Sequence, residues 1–455
     1  MNITYFTSDC KEVNKAYYTA VSDVFANIQP IKCGFAEKPV PVLMAGMGYS
    51  SPWTRDAAIN TINAAGYLCP EIARNTMLSV TEQRNGKLYI GGEYWDCIIW
   101  VWGAWKLYLY TGDTQFLRKA YEAAVNSIEL FEQTELDKSD GLFRGAACYG
   151  DGVSAYPDIY AAPGDSAIMA FAKECRDKCA GTGEGIPMKT LSTNCLYYNA
   201  YVIADLMAVE LGKEARYESK AKNIKQAINS LFWNESKGYY NYIIDPFGGC
   251  DSFEGLGNSF AILAGIADAE KTQSILNNAP LTKNGIACLE PSFSRYKGGF
   301  GRHCGTVWPH VQGFWADAAA KNGRFDLAMN EFKRMTDFAV RDGFFAEIYH
   351  PESGEIYGGL QECEKSGICE WESEKKQTWS ATAYLHILFA NILGMKIVKG
   401  GVHFSPHLPS NITKMEVTGL VLHGTRLNIT VCGNGTAFAA FDGGEKNIEI
   451  KGEAK

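Results

Sequence analysis

The 455-residue sequence predicts a mainly α fold, an (α/α)6 barrel, closed by a small C-terminal antiparallel β domain. Three observations predict it. Amphipathic helix, short turn and amphipathic helix alternate roughly a dozen times. The segments between alternate helices are long and rich in Gly, aromatics and carboxylates. From about residue 396 the apolar spacing switches from the helical period to period two. The expected boundaries are 1–395 for the helical barrel and 396–455 for the β cap.

Helices are expected near 11–28, 55–66, 70–83, 94–111, 115–134, 190–212, 214–232, 257–267, 269–278, 306–321, 323–341 and 377–394. Several carry their own punctuation. In YTGDTQFLRKAYEAAVNSIELF, Gly112 ends one helix and Asp113-Thr114 supply an N-cap for the next. Asn322-Gly323 separates another pair. Tandem pairs also build open superhelices, but no fixed-period repeat is present, and loop lengths differ greatly. The long segments are 29–54, 135–165, 233–256, 280–305 and 342–376; loops of that length in a compact chain are usually functional. Beyond them, MKIVKGGVHFSPHLPS, KMEVTGLVLHGTRLNITVCG, TAFAAFDG and NIEIKG read as strands between Gly and Asn turns.

Composition narrows the function. The chain is 46% hydrophobic and 21% charged, ordinary for a globular protein, with a net charge of −8 and no Lys/Arg block, so nucleic acid is not an expected partner. The start, MNITYFTSDCKEVNK, has no apolar run, and no stretch approaches about 18 apolar residues; a cytoplasmic protein without membrane spans is the expectation. The 14 Cys then read as reduced thiols. Cys175 with Cys179, and Cys363 with Cys369, lack the spacing of a zinc site, so no metal and no other cofactor is expected. Aromatics reach 13%, which suits core packing and equally a cleft that stacks sugar rings.

Four segments set charged or polar side chains beside aromatic rings. Ser51-Pro52-Trp53-Thr54-Arg55-Asp56 stands just before a helix, where Arg and Asp give a donor and an acceptor for adjacent hydroxyls beside a stacking Trp53; an N-cap Asp with a solvent-facing Arg is the structural alternative. Asp140-Gly141-Leu142-Phe143-Arg144, Cys148-Tyr149-Gly150-Asp151-Gly152 and Pro157-Asp158 put carboxylates between glycines and rings, a pattern that also makes turns. Glu347 lies in the apolar run Phe344-Phe345-Ala346-Glu347-Ile348-Tyr349, ahead of Gln377-Thr378-Trp379-Ser380, and a Glu there needs a partner or a task. Arg302-His303-Cys304-Gly305-Thr306-Val307-Trp308-Pro309-His310 offers His303, Trp308 and His310 to a sugar, or to the core. Trp95-Asp96 is a further candidate contact.

Together these segments resemble the clan of (α/α)6 inverting α-glycosidases that includes glucoamylases, trehalases, processing α-glucosidases and the amylo-1,6-glucosidase part of glycogen debranching enzymes. The resemblance covers about residues 45–395 as an ordered series of motifs. PWTRD at 52–56 is similar to the Trp-Thr-Arg-Asp segment of glucoamylases, which implies that Arg55 and Asp56 hold the terminal glucose at its 4- and 6-hydroxyls. AEIYHPESGE followed by QTWSATAYL resembles the general-base segment and places the base on Glu347. HCGTVWPHVQGFW is similar to the HNGTVWP segment of debranching enzymes, and EGLGNSFAILAGIA to a stretch of the wider clan. The C-terminal HFSPHLPSNITKMEVTGLVLHGTRLNITV resembles the β cap of related barrels, α-L-rhamnosidases and disaccharide phosphorylases among them.

The Trp-Glu-Glu acid segment of glucoamylases is absent, as is the large N-terminal β domain of many relatives. Trehalases and processing α-glucosidases use an Asp in a comparably placed aromatic loop, so the resemblance implies Asp151 as general acid, with Asp158 second and Asp140 third. The expected activity is hydrolysis, with inversion, of a terminal α-linked sugar, glucose first, from a small oligosaccharide or glycoside. Arg55, Asp56, Trp53, Trp95, Asp96, His303, Trp308, His310 and Trp379 would bind the sugar. An α-L-rhamnosidase, a disaccharide phosphorylase and a catalytically inactive sugar-binding protein are the alternatives.

Overall fold

A computed structural model describes residues 4–92, 95–161, 166–174, 186–363, 367–433, 435, 437–441 and 449–452. Cys175, Cys179 and Tyr94, the expected start of one helix, lie outside the described residues. The chain is mainly helical with a C-terminal β region.

Twelve helices matter for the site. They are α1 (Lys11–Ala26), α2 (Thr54–Asn60, continued by a π-helical stretch Thr61–Ala65), α3 (Pro70–Ser79), α4 (Trp100–Thr111), α5 (Thr114–Thr134), α6 (Leu191–Glu210), α7 (Glu218–Leu231), α8 (Gly255–Leu263), α9 (Ala269–Asn278), α10 (Pro309–Lys321), α11 (Phe325–Asp342) and α12 (Thr378–His386, continued by a π-helical stretch Ile387–Ile392). Burial divides them into two kinds. Helices α2, α8, α10 and α12 are buried almost all round, as helices enclosed by other helices must be. Helix α5 instead buries Phe116, Leu117, Ala120, Ala123, Ala124 and Ile128, one stripe at helical spacing. Its N-cap is the expected one, with the Asp113 carboxylate accepting from Phe116 N at 2.9 Å.

The contacts follow that division. Helix α2 touches α4, α4 touches α6, α6 touches α8, α8 touches α10, α10 touches α12, and α12 returns to α2. Small residues let these axes approach. A Cβ at Gly103 of α4 would lie 2.9 Å from Ala58 Cα of α2, and one at Gly313 of α10 would lie 2.9 Å from Ala383 Cβ of α12. The amphipathic helices cover this inner set: α1 packs on α12 and α11, α3 on α2 and α4, α5 on α4 and α6, α7 on α6, and α11 on α10.

Several expected boundaries shift. The helix expected over 70–83 stops at Ser79, and Thr81–Arg84 pairs with Lys87–Ile90 as a hairpin. Its turn, Asn85-Gly86, has positive φ at both residues (50° and 77°), the geometry that strand twist favours in a two-residue loop. The segment expected over 257–267 is helical over Gly255–Leu263, and that expected over 306–321 begins at Pro309.

In the C-terminal region Lys414–Leu422, Thr425–Cys432 and Ala437–Phe441 form an antiparallel sheet that the chain's first strand, Tyr5–Ser8, joins at the edge beside Lys414–Leu422. Burial alternates residue by residue along Thr425–Cys432. The expectation of a purely antiparallel unit needs correcting. Gly401–Phe404, antiparallel to Met395–Val398, also pairs with Glu449–Gly452 in parallel, because the last strand returns to the first hairpin of the region and not to its sequence neighbour. Among the described residues no helix is long and apolar enough to cross a membrane.

One buried carboxyl makes a measurable prediction. Glu331 of α11 is fully buried, accepting from Gln312 Nε2 at 2.7 Å and Ile286 N at 3.1 Å, and burial pushes its pKa from 4.5 to about 8. Between those values the unfolded chain loses this proton and the folded chain keeps it, so folding stability falls as pH rises from about 4.5 to about 8. Glu331→Gln should remove that part of the slope. Urea midpoints at pH 5 and pH 8 should therefore differ less in the variant than in the wild type; an unchanged difference would contradict the assignment.

Candidate active site

The segments that precede the inner helices converge on one cavity of about 270 Å³. The run before α2 brings Tyr49 and Trp53, and the first turn of α2 brings Arg55 and Asp56. The loop after α5 brings Tyr149, Asp151 and Gly152. The approach to α10 brings Arg302, His303 and Trp308, the stretch after α11 brings Glu347, and Trp379 opens α12. Gly152 is required beside Asp151, because a Cβ there would run into the Gln361 amide oxygen and come within 2.9 Å of the His303 ring.

Arg55 organises one wall. Its guanidinium lies 3.2 Å from Asp96 Oδ2, 3.4 Å from Asp151 Oδ2 and 4.0 Å from Asp56 Oδ2. The structural alternative of a solvent-facing Arg is therefore set aside: both Arg55 and Asp56 are buried. Burial pushes the Asp56 carboxyl up to about 7 against the pull of Arg55, with Glu347, Asp151 and Asp96 adding to the rise. Among the described residues, Asp56 Oδ1 and Trp379 Nε1 are buried without a hydrogen-bond partner. An acceptor and a donor left open at a cavity wall suit hydroxyl groups.

Glu347 faces the same space from the other end of the sequence. Its side chain is 4% exposed and pairs with Arg302 Nη2 at 2.5 Å. Arg302 is itself fixed by the carbonyls of Gly358 (3.0 Å) and Glu372 (3.1 Å) and lies against the rings of Trp308 and Trp371. Burial raises the Glu347 pKa, Arg302 opposes that rise, and Asp151 adds to it.

His303 stands between the two carboxyl groups' supports. It stacks on Trp308 with ring centroids 5.0 Å apart. Burial lowers its pKa to about 3, so the ring is neutral at pH 7. Its tautomer follows from the surrounding hydrogen bonds. Ser154 Oγ donates to Gln361 Oε1 at 3.0 Å, so at 3.0 Å from His303 Nδ1 it accepts, and the ring proton sits on Nδ1. Nε2 lies 3.6 Å from Asp151 Oδ1.

Most of the residues predicted from sequence meet here: Trp53, Arg55, Asp56, Asp151, His303, Trp308, Glu347 and Trp379 line the cavity. Three do not. Asp96 is buried behind Arg55, accepting from Arg55 and from Tyr149 N (2.8 Å). Trp95 is buried, with Nε1 donating to Ala147 O at 2.9 Å. His310 is fully buried behind the wall, stacked on Trp379 at 4.2 Å and edge-on to Tyr149 at 4.5 Å. The lesser candidates for the acid also lie elsewhere: Asp158 is exposed and pairs with Arg295, and Asp140 pairs with Lys189. Tyr49, Arg302, Gln361 and Trp371 line the cavity without having been singled out. Their signal was membership of the flagged loops, Arg302 standing directly before His303. Among the described residues no group of three or more His, Cys, Asp or Glu is placed to hold a metal ion.

No curated protein sequence matches the chain. Solved structures share its fold at low identity. A sialidase superposes with a TM-score of 0.69 at 14% identity, over 96% of this chain and 40% of that one. The GH78 rhamnosidase of a Bacillus species gives 0.65 at 15%, over 100% of this chain and 43% of that one. The GH63 mannosylglycerate hydrolase from Thermus thermophilus, in complex with glucose, gives 0.63 at 14%, over 82% of this chain and 99% of that one. The chain thus spans about two fifths of the first two and nearly all of the third. Residues 395–454 match the C-terminal domain of glycosyl hydrolase family 65. Residues 98–380, more than half of the chain, match the mannosylglycerate hydrolase MGH1-like glycoside hydrolase domain, and the chain belongs to that family as a glycoside hydrolase.

Proposed function

We propose that the chain is an (α/α)6-barrel glycosidase, residues 1–395, capped by residues 396–455, which hydrolyses a terminal α-linked sugar, glucose first, with inversion. The observation that carries this reading is that Asp151 and Glu347, far apart in sequence, line one sugar-sized cavity whose wall also holds Arg55, Asp56 and several aromatic rings. The cycle of contacts among α2, α4, α6, α8, α10 and α12 supports the barrel, and the glucose held by the mannosylglycerate hydrolase relative supports the sugar.

In this mechanism Asp151 gives its proton to the glycosidic oxygen as the bond to the anomeric carbon breaks. Glu347 takes a proton from the water that attacks the opposite face. Arg302 pairs with Glu347 and orients it, and His303 stands beside Asp151. Asp56 and Arg55 take hydroxyls of the sugar, while Trp53, Trp308 and Trp379 offer ring faces or edges. A phosphorylase would need a phosphate site in place of the base, and Glu347 occupies that role here.

One observation favours a second assignment within the same chemistry: Asp56, at about 7, is also poised to carry a proton. Leaving-group dependence separates the two. A donor variant loses turnover on alkyl glucosides but keeps most of it on an activated substrate such as α-glucosyl fluoride, which leaves unaided. We expect Asp151→Asn to show that split and Asp56→Asn to lose both substrates alike. The reverse pattern would move the donor to Asp56, and loss of both substrates in Asp151→Asn would remove Asp151 from the role.

A further inference from the structure

A second cavity, about 460 Å³, opens between the C-terminal halves of the inner helices, at the opposite ends from the segments that build the catalytic one. Among its charged lining residues lysines outnumber carboxylates. Lys106 of α4, Lys321 of α10 and Lys396 face it, with His386 and His407. Asp317 is the one carboxylate among the described lining residues, and it is already engaged, by Lys321 Nζ at 2.8 Å, Asn391 Nδ2 at 3.2 Å and His386 Nε2 at 3.5 Å.

Lys106 has no hydrogen-bond or ion-pair partner among the described residues. Burial and the nearby Lys321 push its ammonium down to about 8, Asp317 pulling it back and Lys396 adding to the fall. Helix-end electrostatics account for Lys321, in the last turn of α10, but not for Lys106, which stands more than a turn before the end of α4 at Thr111. Two further atoms at this cavity point to a ligand. Tyr67 Oη and Asn391 Oδ1 are buried without hydrogen-bond partners, each on a residue 4% exposed. Trp102, Phe325 and Phe389 supply apolar ring surface beside them.

We propose that this cavity binds a phosphorylated sugar, its phosphate on Lys106, Lys321 and Lys396 and its ring against Trp102 and Tyr67. Lysines serve phosphate as point charges, and a net charge of −8 makes a pocket lined by three lysines against one carboxylate unusual for this chain. The site is independent of what the catalytic cavity cleaves.

Isothermal titration calorimetry tests it with glucose 6-phosphate, inorganic phosphate and glucose as separate probes, on the wild type, Lys106→Met and Lys396→Met. Replacing an unpaired, partly buried cation by Met should leave the fold intact, and Lys396 is exposed, so that variant is safe in any case. The expected result is one-to-one binding of glucose 6-phosphate, tighter than either fragment, weakened at least tenfold in both variants, with glycosidase turnover unchanged. Absence of binding, equal binding by inorganic phosphate, equal binding by the variants, or displacement by the iminosugar 1-deoxynojirimycin would overturn the proposal.

Discussion

Glu347→Gln is expected to lower kcat by about 10²–10⁴-fold while the folded state persists. The amide keeps the size of the carboxylate and can still accept from Arg302, so a large thermal shift is not expected. What it lacks is basicity, and the water that attacks the anomeric carbon then has no acceptor for its proton. The loss should lie in kcat more than in KM, since the variant leaves Arg55 and Asp56, the proposed sugar contacts, untouched. Turnover close to that of the wild type would remove Glu347 from catalysis and with it the proposed mechanism. Near-wild-type melting accompanied by the expected loss would separate a chemical role from a structural one.

Arg302→Met should produce the largest change in stability. In the Arg302–Glu347 pair Glu347 is buried and Arg302 mostly so, 4% and 13% exposed, and removing Arg302 leaves the buried carboxylate uncompensated. Such breakage costs about 3–5 kcal/mol. The sign of its pH dependence follows from the burial that already raises the Glu347 pKa. Without Arg302 that pKa rises further, so the folded variant holds a proton the unfolded chain releases. The deficit should therefore be smaller at pH 5 than at pH 8. Urea unfolding of the variant and the wild type at both values checks it, and a deficit independent of pH would mean that lost packing against Trp308 and Trp371 dominates. Glu347→Gln combined with Arg302→Met should recover part of the stability.

The helical pairing was legible because the outer helices must hide one stripe and expose the rest. The segment expected at 269–278 is found at Ala269–Asn278, and that expected at 115–134 at Thr114–Thr134. The inner helices were recognisable but poorly bounded. A helix such as α8, buried nearly all round, has no periodicity to mark where it ends. The hairpin after Ser79 was absorbed into a helix although Asn85-Gly86 announces a tight turn. Within the site, Arg55, Asp56 and Glu347 were legible since ionisable residues in apolar surroundings need partners. Which Arg answers Glu347 was not, because Arg302 reaches it only through the fold. Trp95 and His310 illustrate the other limit. The ring chemistry that stacks a sugar also fills a core, and only coordinates tell a wall from the layer behind it.

The pairing of Tyr5–Ser8 with Lys414–Leu422 has a consequence for biosynthesis. Tyr5–Ser8 leaves the ribosome about four hundred residues ahead of the strand that it pairs with, Tyr5 standing opposite Thr418 and Ser8 opposite Met415. Until then its backbone amides and carbonyls are open on both sides, a template for any stray strand. Helix α1, which rests on α11 and α12, waits almost as long. Closure of this sheet should thus be a late event, slow for the helical content around it, and the nascent Tyr5–Ser8 stretch is where a holdase chaperone would do most good.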